Sequence, residues 1–294
     1  MRQVKRWFSP VPGFFVLLWS TGFIVAKFGL PYAPPLTFLV LRCAAVVLVL
    51  APLALVGRAP WPHGQVWQIA GAGLLLQGGY LSGVWCAIKL GMPAGITALV
   101  VGMQPIVTAA CAGLIGERVR PRQWLGLGLG LAGVGLVVQA KMAVAGLSLQ
   151  ALGWCVLALL SITAGTLVQR RYCPRFDLRS GTLIQFGTTL AVLLPLAVLC
   201  EGLTPALASV QWTAQFVGAL LWSVLALSIG AIFLLFTLIR RSAATEVTSL
   251  MYLTPPTTAV MAWLMFGEAL SLTGAAGMAL AVLGVFCVVN QERA

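Results

Sequence analysis

Hydrophobic positions along this chain neither alternate nor recur as narrow stripes. They come in near-continuous runs of about 20 residues, the length a helix needs to cross roughly 30 Å of hydrocarbon. The pattern predicts ten such runs, at approximately 13–31, 34–56, 66–88, 94–116, 121–139, 148–169, 179–200, 212–239, 243–266 and 271–290. Backbone groups in lipid must be satisfied within the segment or in a closed barrel, and the period-2 alternation of barrel strands is missing, so the runs read as helices. The polar breaks between them are short and carry turn chemistry, as in YAPP at 32–35, RAPWPHG at 58–64, RVRPR at 118–122 and CPRFD at 173–177. The expected fold class is an all-α membrane protein of ten transmembrane helices, with no soluble domain attached and with the basic N-terminal segment MRQVKRWFSP retained.

Composition agrees: 60% of residues are hydrophobic, 8% are charged, and the mean hydropathy is +1.01. The net charge of +12 raises the question of nucleic acid, but its distribution answers with topology instead. With the N-terminus placed in the cytoplasm, 14 of the 18 basic residues fall on that side; Lys27, Lys89 and Lys141 fall outside, and Arg42 lies within a span. The bias puts both termini in the cytoplasm. Seven cysteines without paired spacing and a single histidine, His63 in a loop, give no disulfide framework and no metal cluster. No cofactor or catalytic residue is expected, and the expected partners are a lipid bilayer and a small-molecule substrate; the oligomeric state is left open.

The stretch PTTAVMAWLMFGEA at 256–269 has a near copy at 105–118, PIVTAACAGLIGER. Shifted by 151 positions, Thr97 meets Thr248, Pro105 meets Pro256, Gly116-Glu117 meets Gly267-Glu268, Gly126 meets Gly277 and Gly133-Val134 meets Gly284-Val285. Earlier spans agree more weakly, Arg42 and Pro52 echoing Gln185 and Pro195. The chain is expected to be a five-helix unit written twice, at 13–139 and 148–290. Five is odd, so the copies cross the membrane in opposite senses and form an inverted repeat.

These features resemble the drug/metabolite transporter superfamily, in particular the EamA-type ten-helix exporters, across nearly the whole chain. The residues that carry the likeness are LLWSTGFIVAK in the first span, Arg42 in LVLRCAA, the two proline-to-Gly-Glu stretches, and the glycine-rich spans GLGLGLAGVGLVV and GAAGMALAVLGVF. The resemblance implies export of small metabolites, often amino acids and in some members aromatic ones, from a bacterial inner membrane through a central cavity between the two repeats. Multidrug or other metabolite efflux by proton exchange, and a small-solute channel, stay open as alternatives.

Candidate cavity residues follow from helical spacing. The fourth span sets Thr97, Val101, Gln104 and Thr108 on one stripe, and the ninth repeats it with Thr248 and Tyr252. Trp19 and Ser20 in the first span, Gln77 and Tyr80 in the third, and Trp154 and Ser161 in the sixth complete the set. Pro105, Pro255 and Pro256 read as helix-interior prolines that free carbonyls and supply hinges, the carbonyls being met by a neighbouring hydroxyl or by substrate. Arg42, about 12 Å deep at 1.5 Å per residue, is either the counter-charge for a substrate carboxylate or tied to helix-end carbonyls or to an outer glutamate, Glu201 or Glu268. All six acids lie near helix ends, in loops or in the tail, Glu246 being the deepest, so facilitated efflux is the first expectation for energy coupling and proton exchange the second. Cysteines substituted at 117 and 268 should react with a membrane-impermeant thiol reagent from opposite sides; reaction of both from one side overturns the inverted repeat.

Overall fold

The computed structural model describes residues 10–112, 121–145, 148–173, 175–202, 207–231, 234, 253–268 and 272–289. Among them every regular element is a helix, in ten spans: α1 (Pro10–Gly29), α2 (Pro35–Val56), α3, α4, α5 (Pro121–Ala145), α6 (Leu149–Tyr172), α7 (Leu178–Glu201), α8, α9 (Thr254–Phe266) and α10 (Leu272–Val289). Three spans are composite. The third runs as Val66–Gly73, a π-helical stretch Leu74–Gly79, and Tyr80–Lys89; the eighth runs as Ala214–Leu221 and a π-helical stretch Trp222–Ala231. The fourth is two helices, α4a (Ala94–Val101) and α4b (Gln104–Ala112), separated by Gly102 and Met103. Pro35–Val56, Leu149–Tyr172, Leu178–Glu201 and Ala214–Ala231 are each long and apolar enough to cross a membrane, with shorter apolar helices beside them.

The prolines require a correction. Pro255 and Pro256 stand in the first turn of α9, and Pro105 is the second residue of α4b. A first-turn N–H has no partner within its helix in any case, so proline starts these helices rather than bending them. The discontinuity of the fourth span lies just upstream, at Gly102–Met103; 151 positions after Gly102, Leu253 is the turn residue that precedes α9. The single stripe of the fourth span is therefore split between two helices. Prolines inside helices are found instead at Pro52 in α2 and Pro195 in α7.

The residues gather into two compact units, and neither is a half of the sequence. One takes Met1–Ile24, Met92–Ser148 and Gly230–Ala294; the other takes Val25–Gly91 and Leu149–Ile229. Each unit thus draws helices from both halves. In the first, α10 packs on α5 and α9 on α4a; in the second, α7 packs on α2 and α6 on the third span.

Packing of α5 on α10 follows from glycine. In lipid no hydrophobic driving force separates helix from solvent, so association rests on close backbone approach at small residues. A Cβ on Gly133 would press on Gly277 O and come within 2.6 Å of Ala281 N; a Cβ on Gly284 would come within 2.6 Å of Gly126 O and 2.7 Å of Gly130 N. Adding 151 to 126, 130 and 133 gives 277, 281 and 284, so the two sets of contacts are the same contact with the copies exchanged. As numbers rise along α5 they fall along α10, so the copies run antiparallel.

α2 and α7, related by 143 positions, repeat this logic with polar groups. Leu36 N and Thr37 N each donate to the Glu201 carboxylate at 2.8 Å, and Thr37 Oγ1 donates to it at 2.7 Å. At the other end Ser180 Oγ donates to Pro60 O at 2.7 Å and Arg179 Nη1 to Gly57 O at 3.4 Å. Leu36 and Thr37 correspond to Arg179 and Ser180. The start of α2 is capped by a carboxylate from the far end of α7, whereas α7 is capped by its own Asp177, which accepts from Arg179 N at 3.0 Å and Ser180 N at 3.4 Å. Burial works against the Asp177 charge, but hydrogen bonds from the Arg179 side chain and from these two N–H groups outweigh it, and the carboxyl is held below its ordinary range.

The glutamate of the Gly-Glu motif has a similar use. Gly267 ends α9 with a φ of 65°, a left-handed conformation that suits glycine, and the turn presents Glu268 to Ala94 N at 3.3 Å, the first residue of α4a. Glu117 lies outside the described residues.

Two outcomes are expected. Gly133→Leu should lower the apparent melting temperature by about 5 °C or more, because backbone atoms block the new side chain, while Gly135→Ala, which meets nothing within 4 Å, should not. Asp177→Ala should lower it by about 2 °C at neutral pH. Since the Asp177 pKa is depressed on folding, its contribution is complete above the unfolded value and disappears as pH falls through the folded one, so the two melting temperatures should converge in acid.

Candidate functional site

In the second unit the polar interior is organised around Arg42. It lies seven residues past the start of α2, about 10 Å along the helix, and is only 5% exposed. Its Nε donates to Ser228 Oγ at 3.0 Å, and Ser228 Oγ donates to Ser223 O at 2.8 Å. Both serines belong to the π-helical stretch of α8, whose wider turn brings residues five apart into register. The phenol of Tyr80, which follows the other π-helical stretch, is within electrostatic reach of the guanidinium.

No carboxylate among the described residues pairs with Arg42. Glu201, one of the two outer glutamates weighed for it, is committed to the start of α2. Glu268 is committed to the start of α4a. A charge at depth costs about 2.5 to 3.5 kcal/mol on insertion scales and more where it goes unpaired, so one neutral hydroxyl leaves most of its bonding capacity unspent. The Ser223 hydroxyl, fully buried beside it, also lacks a hydrogen-bond partner.

The same unit contains the counterpart of this arrangement. Gln185 corresponds to Arg42 by the 143-residue shift and also lies seven residues into its helix. Its Nε2 donates to Gln169 Oε1 at 2.8 Å, while Thr189 Oγ1, one turn on, donates to Gly73 O at 3.2 Å. Gly73 permits that approach, since a Cβ there would be 2.5 Å from Gln185 Cα. Gln77, half-buried in the π-helical stretch, is the counterpart of Ser228 by the 151-residue shift. Ser161 packs on Gly79, and the Trp154 carbonyl packs on Gly83. Arg42, Gln77, Tyr80, Trp154 and Ser161 thus share one compact unit.

The remaining candidates fall in the first unit. Trp19 is half-buried with its ring 5.6 Å from that of Phe15. Ser20 is fully buried and donates to Thr254 O at 3.5 Å, at the first residue of α9. Thr97 spends its hydroxyl on Pro93 O at 3.0 Å, and Val101 is buried at the end of α4a. Gln104 opens α4b, half-buried, ahead of Pro105, and Pro255 sits against Gly102. Thr248 and Tyr252 lie outside the described residues. Sequence spacing missed Ser223, Ser228, Gln169 and Thr254. The repeat contained a signal for Ser228, because position 77 shifted by 151 is 228.

The sequence profile of the EamA-like transporter family matches the chain twice, over residues 14–139 and 149–290. An uncharacterized transporter of Bacillus subtilis (strain 168), YvbV, is 29% identical over 95% of this chain and 90% of its own length. A probable amino-acid metabolite efflux pump of Salmonella typhimurium is 34% identical, over 43% of this chain and 41% of the pump. An uncharacterized inner membrane transporter of Escherichia coli (strain K12), YedA, is 34% identical over 40% of this chain and 39% of its own length. One solved crystal structure aligns over 96% of both chains with a TM-score of 0.64 at 22% identity, a likeness of fold alone. With its defining pattern present in both halves of an all-helical chain, the protein belongs to the EamA-like transporter family and is a multi-pass membrane transporter rather than an enzyme.

Proposed function

We propose that this transporter exports small metabolites, amino acids first among them, from the cytoplasm across a bacterial inner membrane by alternating access, and that Arg42 is the counter-charge for the solute carboxylate. The observation that carries the reading is the buried Arg42 guanidinium, held by a single serine and met by no carboxylate among the described residues. A carboxylate supplies the missing acceptors in the two-pronged geometry that arginine favours. Tyr80 on the third span gives this station aromatic surface, and Gln77, Trp154 and Ser161 of the same unit belong to the proposal as further contacts for an apolar amino-acid side chain. Trp19, Ser20, Thr97, Val101 and Gln104, with Thr248 and Tyr252, are proposed as further solute contacts, and Pro105, Pro255 and Pro256, at their helix starts, as hinges. The names borne by the Salmonella pump and the Escherichia coli inner membrane transporter favour the same cargo and membrane.

Energy coupling follows from the acids. Asp177, Glu201 and Glu268, the acidic side chains among the described residues, each cap a helix start. None of the three is free at depth to carry a proton, which supports facilitated efflux; Glu246, the deepest acid by sequence, lies outside the described residues.

In proteoliposomes Arg42→Gln should raise the half-saturation concentration for L-phenylalanine by roughly tenfold or more, the worth of a charge-assisted hydrogen bond. That for L-phenylalaninamide, which has no carboxylate, should stay within twofold. An equal change for both removes Arg42 from carboxylate recognition. An imposed pH gradient should drive no accumulation, and accumulation overturns facilitated efflux.

A further inference from the structure

Resting on that reading of Arg42, we infer that the second unit contains two solute stations related by the internal repeat, an arginine station at one end and a glutamine station at the other, and that their difference makes transport asymmetric. The shift of 143 residues sets Gln185 against Arg42, and the contacts at the ends of α2 and α7 obey the same exchange: Leu36 and Thr37 meet Glu201 at one end, Arg179 and Ser180 meet Gly57 and Pro60 at the other. Arg42 is seven residues from the Glu201 end and Gln185 seven from the Arg179 end, so each lies about 10 Å inside its own end.

The glutamine station has donors and acceptors but no charge. Gln185, buried to 6% exposure, and Gln169 share one hydrogen bond, which leaves each amide with further capacity. Gln68 lies on Val66–Gly73, the helical piece that packs against both α6 and α7, and its Oε1 is buried without a partner. Neutral amides can donate hydrogen bonds to a carboxylate but lack the opposite charge and the two-pronged fork of a guanidinium. The solute therefore binds more tightly at the Arg42 end than at the Gln185 end.

This inequality has a kinetic consequence. An uncoupled carrier cannot displace equilibrium, so the ratio of maximal rate to half-saturation concentration is equal in the two directions. A lower half-saturation concentration at the Arg42 end comes with a lower maximal rate for uptake from that end. Flow from the Gln185 end saturates late and runs fast, while return flow saturates early and is capped. With the arginine-rich loops at the Gln185 end in the cytoplasm, this asymmetry favours discharge of a concentrated cytoplasmic solute.

The test uses the full-length protein in proteoliposomes of defined orientation, with radiolabelled L-phenylalanine offered from each face. The wild type should show half-saturation concentrations differing by roughly tenfold, lower at the Arg42 face, with maximal rates differing by the same factor. Arg42→Gln should bring the ratio to within about twofold of unity, and the double variant Arg42→Gln/Gln185→Arg should reverse it. If the exchanged variant does not purify as a monodisperse species, the comparison of wild type with Arg42→Gln decides alone. A wild type symmetric to within twofold, or an Arg42→Gln variant that weakens both faces equally and keeps the ratio, overturns the two-station proposal while leaving Arg42 as a carboxylate ligand. An Arg42→Gln variant unchanged at both faces overturns both.

Discussion

Backbone-to-backbone contact between the two copies of one helix is the constraint on which the rest of the first unit depends. Gly133 against Gly277 and Gly284 against Gly126 bring α5 and α10 together at distances that leave no room for a Cβ. Because lipid tails are as apolar as leucine, burying apolar area gives these helices little reason to associate, and van der Waals contact over small residues has to do it. An interface made from the same residues on both partners is self-complementary, as in a two-fold dimer, except that here one chain supplies both partners. Antiparallel copies then follow from a repeat with an odd number of spans.

A glycine contact fixes distance but gives no polar specificity; the second unit adds that. The exchange of α2 and α7 is marked by hydrogen bonds at both ends, and the two ends use different means to satisfy one need. Both helix starts leave N–H groups without intrahelical acceptors, and both receive a carboxylate. α2 begins at Pro34-Pro35 and has no capping side chain of its own, so it takes the carboxylate of Glu201 from 165 residues away, while α7 has Asp177 immediately before it. Proline at the start of α2 fixes the backbone for helix but offers no acceptor. That local deficiency binds α2 to α7.

Much of this was legible in the letters, and what was not has physical reasons. The ten runs were readable because lipid imposes one length and one conformation, and the repeat was readable because proline, glycine and glutamate recur at fixed shifts. The mixing of helices from both halves within each compact unit was not, since it depends on contacts between distant segments that periodicity does not encode. Pro105, Pro255 and Pro256 pointed to the right neighbourhood for the wrong reason: spacing cannot distinguish a proline that bends a helix from one that begins it. The π-helical turns gave no compositional signal, because adding one residue to a turn changes the hydrogen-bond ladder and not the hydrophobicity. The bond from Ser228 to Ser223 was hidden for the same reason, since it exists only in the wider turn, although the repeat pointed from Gln77 to position 228.

Acid placement explains why so much chemistry converges on one arginine. A carboxylate at a helix start is satisfied by N–H groups and by the positive end of the helix dipole. Asp177, Glu201 and Glu268 all occupy such sites, where their charges stabilise architecture. A carboxylate spent in this way is a poor partner for a guanidinium at depth, because leaving the cap would expose the N–H groups it satisfies. Arg42 is thereby left with serine oxygen as its protein acceptor, and an anion brought in by solute meets no competitor among the described residues. The same economy that stabilises the helix ends leaves the positive charge at depth without a carboxylate partner among the described residues.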